Sequence, residues 1–174
     1  IILVILNQLR FTKKNKVNQK QDIQEENIYS SNIIKGVNYN SKDLNGNEYL
    51  IEAKEGEIDI KDNDTIFLKE VVSLIKLKDK EKILITSDFG KYNIVNQDTI
   101  FSNNVIITYL DNKITGNYAD FSLKRNSLIV SKKVVYTNLE NILEADLIEM
   151  NIETKDTKIS MYEIEKKVNI KSKQ

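Results

Sequence analysis

The feature that most constrains this chain is a 23-residue pattern that occurs four times without gaps. The copies begin at Leu50, Leu84, Lys113 and Ile142, so successive starts are 34, 29 and 29 residues apart. Within the copies apolar and polar residues alternate, and Ile, Val, Tyr, Phe and Thr are frequent, which is typical of β-strands. A period of this length indicates a repeat architecture, because a single unit cannot bury its apolar face alone. We therefore expect an all-β protein built from about four strand-rich repeats.

The repeat also predicts how its strands are arranged. Position 4 is small in every copy, which indicates a tight approach of two strands or a sharp bend. These small residues are Ala53, Ser87, Gly116 and Ala145. Each copy predicts a strand, a short turn, a second strand, a four-residue polar connector and a third strand. Polar breaks at residues 45–47, 78–81 and 111–112 lie between apolar runs and predict hairpin turns.

The alternation predicts which side chains share one face of the sheet. The inward set consists of Ile51, Ala53, Ile58, Ile60, Ile66, Leu68, Ile83, Ile85, Ile94, Ile100, Val105, Ile107, Phe121, Leu123, Val130, Val134, Leu143, Ile152, Ile159 and Met161. The opposite face is expected to carry Lys, Glu, Asp, Asn and Thr. If the sheet closes tightly, the inward set is a plain core. If it stays open as a V, the same residues line an apolar groove that holds long acyl chains.

The missing residue types exclude several classes of function. The chain has no Cys and no His, so it has no disulfide, no zinc site of the usual kind, no Cys nucleophile and no His general base. The charges of its 26 basic and 26 acidic side chains cancel, and the absence of a net positive charge argues against nucleic acid as the main partner.

Two acidic groups remain as candidates for chemistry. Glu55 and Glu57 are two residues apart and share a face of a strand, as a glycosidase carboxylate pair would, but the charged run around them favours a solvated surface. Asp62, Asn63 and Asp64 lack the spacing of an EF-hand, so a turn explains them better than calcium binding. We therefore expect no catalytic activity, no metal site and no cofactor.

The N-terminal part differs in character from the repeats. Residues 1–9 begin with six apolar residues, whereas a bilayer needs about 20. They predict either the end of a transmembrane or signal segment or an ordinary strand. Residues 10–35 are rich in Lys, Gln and Asn without a sustained period, which predicts a polar stalk. The strand-rich domain then covers residues 36–170, and residues 171–174 form a short tail.

This order of parts resembles the LptC family of lipopolysaccharide export. The residues that carry the resemblance are NSKDLNGNEYLIEAKEGEID from Asn40, ILITSDFGKYNIVNQDTIFSNNVIIT from Ile83 and LEADLIEMNIETKDTKISMYEIEKKVNI from Leu143. The resemblance covers roughly residues 36–170. It implies an open antiparallel β-jellyroll, the "β-taco", and it implies that lipid A acyl chains travel along the inner apolar face.

The resemblance also implies partners and a location. An LptB–LptF–LptG ABC transporter would deliver lipopolysaccharide at the N-terminal side. An LptA-like bridge protein would add a strand to the C-terminal edge, at Ile164, Val168 and Ile170. The N-terminal segment would hold the protein in the inner membrane of a Gram-negative bacterium by a single pass, with the domain in the periplasm. Two alternatives remain: a soluble LptA-like bridge protein, and a structural β-repeat or adhesin module that binds no lipid.

Overall fold

The computed structural model describes residues 33–42, 46–58, 62–78, 81–163 and 165–173. All described residues belong to one compact unit, Ser31–Gln174. The predicted membrane segment, most of the predicted stalk, the inward candidate Ile60 and the edge candidate Ile164 lie outside the described residues. Within the described ranges, no helix has the length and apolarity to cross a membrane.

Ten β-strands form one antiparallel sheet in the described part of the chain. They are β1 (Ile33–Lys42), β2 (Glu48–Ile58), β3 (Thr65–Lys76), β4 (Lys82–Asn93), β5 (Thr99–Tyr109), β6 (Asn112–Ser122), β7 (Ser127–Thr137), β8 (Asn141–Asn151), β9 (Thr157–Ser160) and β10 (Asn169–Ser172). Strands β1 to β8 are neighbours in sequence order, and the outer edge of β8 pairs with both β9 and β10. The predicted all-β class and the open antiparallel jellyroll are confirmed, and β1 begins within the segment predicted as stalk.

Each of the first three repeats forms a hairpin of two long strands, and the fourth pairs the long β8 with the four-residue β9, so the prediction of three strands in each copy is wrong. In the first repeat β2 continues unbroken from Glu48 to Ile58. The predicted break is absent because Gly56 stays in the ladder opposite Leu68. The connections between strands do lie at the predicted polar breaks. Gly46, for example, precedes β2 with a φ of 88°, a conformation that glycine adopts readily.

A line of β-bulges crosses the middle of the sheet. The register shifts once in each of the four pairs from β4–β5 to β7–β8. Asn103, Asn104, Lys132 and Lys133 on this line have left-handed φ angles, and the left-handed Glu70 continues it into β3, where the register of the ladder does not shift. Beside them the small position-4 residues pair with valines, as Gly116 does with Val105 and Ala145 with Val134. Bulges bend strands, so this line, which we call the crease, lies where position 4 predicted a tight approach or a bend.

The sheet is folded along the crease into two layers whose inner faces meet. Tyr39 and Tyr49 lie on one side of the crease and belong to the first layer. Their rings contact residues beyond the crease, in the second layer. The ring centroids of Tyr39 and Tyr92 are 4.9 Å apart, and those of Tyr49 and Phe121 are 6.3 Å apart. The buried apolar residues of both layers form one core between them.

Large and small side chains alternate across the centre of the second layer. Phe101 is fully buried, and its ladder neighbours are Gly90 on β4 and Ala119 on β6. The next strands contribute Val130 and Ile148, which are also buried. Because its neighbours are small, the Phe101 ring fits into the core without displacing the adjacent strands.

Candidate functional site

A cavity of about 300 Å³ lies between the two layers, on the side of the sheet that ends in β8 and β9. We call it the inner cavity. Its apolar walls consist of Ile83, Ile107, Ile114, Leu128, Ile148, Met150 and Ile159. The first three belong to the first layer and the others to the second, so the cavity exists only because the sheet folds over itself. An apolar cavity of this size accommodates part of a small or elongated apolar ligand.

Polar groups gather at one end of the inner cavity, where the β5–β6 hairpin faces the β8–β9 turn. The Tyr136 hydroxyl donates a hydrogen bond to Asn112 Oδ1, and the side-chain amide of Asn138 donates to the Tyr136 hydroxyl over 3.3 Å. Lys155 Nζ lies 5.1 Å from the centroid of the Tyr109 ring. The cavity is therefore apolar along its walls and polar at one end.

The family model for LptC, described as lipopolysaccharide-assembly, LptC-related, matches residues 1–173. This chain belongs to the LptC-related family. The resemblance seen in the strand pattern is thereby confirmed, and the chain is a component of lipopolysaccharide transport. No curated protein sequence matches it.

A solved structure shares the fold of this LptC-related domain. It is the crystal structure of LptH, the LptA homologous periplasmic component of the conserved lipopolysaccharide transport device from Pseudomonas aeruginosa. The two superimpose with a TM-score of 0.53 at 10% sequence identity, and the match covers 72% of this chain and 95% of that chain. At this identity the likeness shows the fold alone.

The LptC-related domain buries most of the residues predicted to face inward. The buried ones are Ile51, Ala53, Leu68, Ile83, Ile85, Val105, Ile107, Phe121, Val130, Val134, Leu143 and Ile152. Ile66, Leu123 and Ile159 are half-buried and pack against the same core. Ile58 is half-buried beside Ile66 in the β2–β3 ladder, and Met161 is half-buried just beyond β9. Of all these residues, Ile83, Ile107 and Ile159 line the inner cavity.

Two inward predictions are wrong. Ile94 follows the last residue of β4 and is 47% exposed in the turn, because the strand ends before it. Ile100 lies on the outer face of β5, where its ladder neighbours are Lys91 and Asp120. The adjacent Phe101, which the alternation did not select, faces the core instead.

The error at Ile100 arises from a one-residue difference in register between two repeats. Both contain Asp-Thr-Ile-Phe, yet Phe67 is 43% exposed and Phe101 is 0% exposed. Phe67 and Ile100 both pair with Lys91, so the same segment is shifted by one residue between β3 and β5. At the crease β5 has two left-handed residues where β3 has only one, Glu70. This extra residue cancels the shift, so that Val71 and Val105, which follow the crease in the two strands, are both buried.

Two residues of the cavity wall were not predicted from the sequence. Leu128 and Ile148 line the inner cavity, although the alternation did not select them. Their ladder partners are Phe121 and Val130, which it did select. Because cross-strand partners share a face, pairing the predicted hairpins strand by strand identifies both residues.

The outer face of the LptC-related domain is less polar than predicted. Leu50, Leu74 and Leu84 are adjacent in one cross-strand row on the outside of the first layer. Leu84 is 38% exposed, and the exposed fraction of Phe89 on the second layer is 44%. Outer strand positions therefore carry apolar residues as well as the expected charged ones.

The two glutamates considered for catalysis lie on this outer face. Glu55 and Glu57 line an outer cavity of about 410 Å³ together with Phe67 and Phe89. The Glu55 carboxylate is 3.4 Å from Lys69 Nζ, in a solvent-accessible ion pair. Such a pair is typical of a solvated sheet surface.

The predicted partner edge is only partly in a strand. Ile170 belongs to β10 and is 63% exposed, whereas Val168 precedes β10 and is half-buried. Within the described residues β10 pairs with β8 alone, so its other edge carries unpaired main-chain groups.

Two side chains, one buried between the layers and one at the surface, have shifted pKa values. Burial, aided by the neighbouring Tyr39 hydroxyl, raises the pKa of Tyr92 far above its usual range, so the hydroxyl stays neutral between the layers. At the surface, the hydrogen bond from Lys76 and its charge lower the pKa of Glu48. Among the described residues no group of three or more acidic side chains is placed to hold a metal ion.

Proposed function

We propose that this LptC-related domain carries lipid A acyl chains through the space between its two sheet layers. The inner cavity is the observation that supports this most directly, because its walls are apolar on both sides. Apolar side chains make non-directional contacts, which suit a chain that slides better than a ligand held by hydrogen bonds. The ion-paired Glu55 on the outer face gives no support to a hydrolase.

In this proposal the lipid crosses the domain from one sheet edge to the other. An LptB–LptF–LptG transporter supplies it at the β1 side, and an LptA-like bridge protein receives it at the side of β9 and β10. Residues 1–9 anchor the protein in the inner membrane, and residues 36–170 form the periplasmic domain. Among the described strands, β1 and β10 each pair on one side only, and this supports the arrangement, since an unpaired edge is a template for an added strand. The inner cavity lies next to the proposed exit.

Adjacent residues on β9 provide the sharpest test of lipid binding. Ile159 lines the inner cavity, whereas Lys158 is on the opposite face and its Nζ is 3.4 Å from the Glu149 carboxylate. We expect a photocrosslinking amino acid at position 159 to label with radioactive lipopolysaccharide, and the same amino acid at position 158 to remain unlabelled. Equal labelling of the two positions, or none at either, would contradict the proposal.

The partner edge is tested by two proline substitutions in β10. Lys173 N donates to Glu140 O over 2.7 Å, so the N–H of Lys171 also points to β8 and that of Ile170 points away. We expect Ile170→Pro to weaken docking of an LptA-like protein while β10 stays paired, because proline removes only an outward donor. Lys171→Pro is the control that detaches β10 itself. Unchanged docking of the Ile170→Pro variant would exclude strand addition at this edge.

A further inference from the structure

A mostly apolar patch lies on the outer face of the first layer, on the other side of this layer from the inner cavity. Two neighbouring cross-strand rows form it, and all its members are exposed or half-buried. They are Leu50, Leu74 and Leu84 in one row and Val72, Thr86 and Ile106 in the next. We call it the outer patch. An apolar area of this kind on a solvent-facing sheet marks a surface for association.

Charged residues border the outer patch at both ends of its strands. Toward the turns, one ladder row across β2, β3 and β4 contains Glu48, Lys76 and Lys82. Toward the crease, the same three strands carry Lys54, Glu70 and Asp88. Each of the latter is adjacent in sequence to a buried residue, so its side chain is on the outside. On each strand the two ends of the outer patch therefore have opposite charges.

The two charged ends are related by symmetry about a central ladder row. Ser73 on β3 pairs with Ile51 on β2 and with Ile85 on β4. On every strand the charged residue toward the turn and the one toward the crease lie three positions from this row, on opposite sides. A half-turn about an axis parallel to the row exchanges the two ends. In a second copy placed by this rotation, each charge faces one of opposite sign.

We propose that two copies of this chain associate face to face through their outer patches, related by this twofold axis. The leucine row of each copy then packs on the Val72 row of the other, as facing sheets do in a β-sandwich. Glu52, which is exposed beside Val72, lies at the rim of the contact. Lys82 of each copy faces Asp88 of the other, and Lys76 likewise faces Glu70.

The charges select this orientation over the other face-to-face arrangement. A twofold axis along the strands would place equal ends, and thus like charges, together. The proposed contact also covers neither the inner cavity nor the outer edges of β1 and β10. The association is therefore compatible with the proposed lipid transport and does not depend on it.

Sedimentation equilibrium of the full chain measures this association. We expect a monomer–dimer equilibrium that weakens as salt is added, because the facing charges are accessible to solvent. Leu84→Glu should raise the dissociation constant at least about tenfold, since each copy would bury a carboxylate in the contact. Phe89→Glu is the matched control, because Phe89 is similarly exposed on the outside of the second layer, and it should leave the constant unchanged.

A chain that stays monomeric up to about 1 mM would overturn the inference. Equal losses of association in Leu84→Glu and Phe89→Glu would also overturn it, because they would show that the outer patch is not the specific contact. Lipid binding to the inner cavity would be unaffected by either outcome.

Charge reversal at one facing pair tests the orientation. Lys82→Glu and Asp88→Lys each create two like-charge contacts in a homodimer, so each should weaken self-association by about tenfold. An equal mixture of the two variants should associate as tightly as the unaltered chain, because both contacts of the mixed pair join opposite charges. Sedimentation with a fluorescent label on one variant measures this, and circular dichroism verifies that both variants are folded. No recovery in the mixture would exclude the proposed arrangement.

Discussion

Phe67 and Phe101 follow the same three residues, Asp-Thr-Ile, in the first two repeats, and they lie on opposite faces of the sheet. Phe101 is enclosed between Gly90 and Ala119 in the core. Phe67 is on the outside, where Lys91 Nζ lies 5.7 Å from its ring centroid. The environment of each ring, and not the residue type, therefore determines how much it stabilises the domain.

Truncating these two rings should have very different effects. We expect Phe101→Ala to lower the free energy of unfolding by about 3–5 kcal/mol, because it leaves a cavity in a closely packed core. Phe67→Ala serves as the matched control and should cost about 1 kcal/mol or less, since its ring is partly solvated. Urea unfolding followed by circular dichroism measures both values. Equal losses would show that the assigned faces of β3 or β5 are incorrect.

Tyr92 should make the stability of the domain depend on alkaline pH. Burial raises its pKa in the folded state, so the unfolded chain, with a tyrosine pKa of about 10, loses the proton first. The contribution of neutral Tyr92 is complete below about pH 10 and declines as pH rises, by at most about 1.4 kcal/mol per pH unit. We expect Tyr92→Phe to lose less stability than the unaltered chain between about pH 10 and pH 11 in urea titrations. If the stabilities of the variant and of the unaltered chain decline equally over this pH range, the prediction is wrong.

At the scale of elements, the bulges at the crease convert a row of hairpins into two facing layers. They do so with different residues in different repeats. Asn103 and Asn104 supply the left-handed conformation in β5, and Lys132 and Lys133 supply it in β7. Asparagine tolerates this conformation better than lysine does, so β7 is under more backbone strain than β5.

Relieving this strain should stabilise the domain. Lys133 has a φ of 60°, and we expect Lys133→Gly to raise the free energy of unfolding by up to about 1 kcal/mol, because glycine adopts that conformation without a steric penalty. The same change at Lys113, an exposed residue of β6 outside the crease, should lower it by about 0.5–1 kcal/mol. Thermal and urea unfolding compare the two variants. A loss at Lys133 as large as that at Lys113 would argue against a strained bulge.

At the scale of the whole molecule, a single sheet supplies the core, and in the part of the chain that the structure describes its outermost strands are paired on one side only. The central strands β4 and β5 are 12 and 11 residues long and pair on both sides. At the C-terminal edge β9 and β10 have only four residues each and pair with β8 alone. All residues of β10 are exposed, so little burial holds this strand in place. Stability is therefore expected to fall toward the edge where partner docking is proposed.

Native-state hydrogen exchange should show this gradient directly. We expect the β10 amide of Lys171 to exchange through local opening that depends weakly on urea. The core amides of Ile85 and Ile107 should exchange only through global unfolding, with a steep dependence on urea. Exchange measured by NMR at several urea concentrations separates the two modes. If β10 exchanges with the same urea dependence as β4, the edge unfolds together with the core.

The sequence by itself determined the strand content, the positions of most turns, the repeat and the family resemblance, because alternation and turn residues are local properties of the chain. It also identified most buried positions, such as Ile85 and Val130. Only the tertiary structure decided that Phe101 and not Ile100 faces the core, since a shift of one residue in the ladder reverses every face. The inner cavity and the place of Lys155 in its wall were likewise decided by folding, because they form where layers distant in sequence meet.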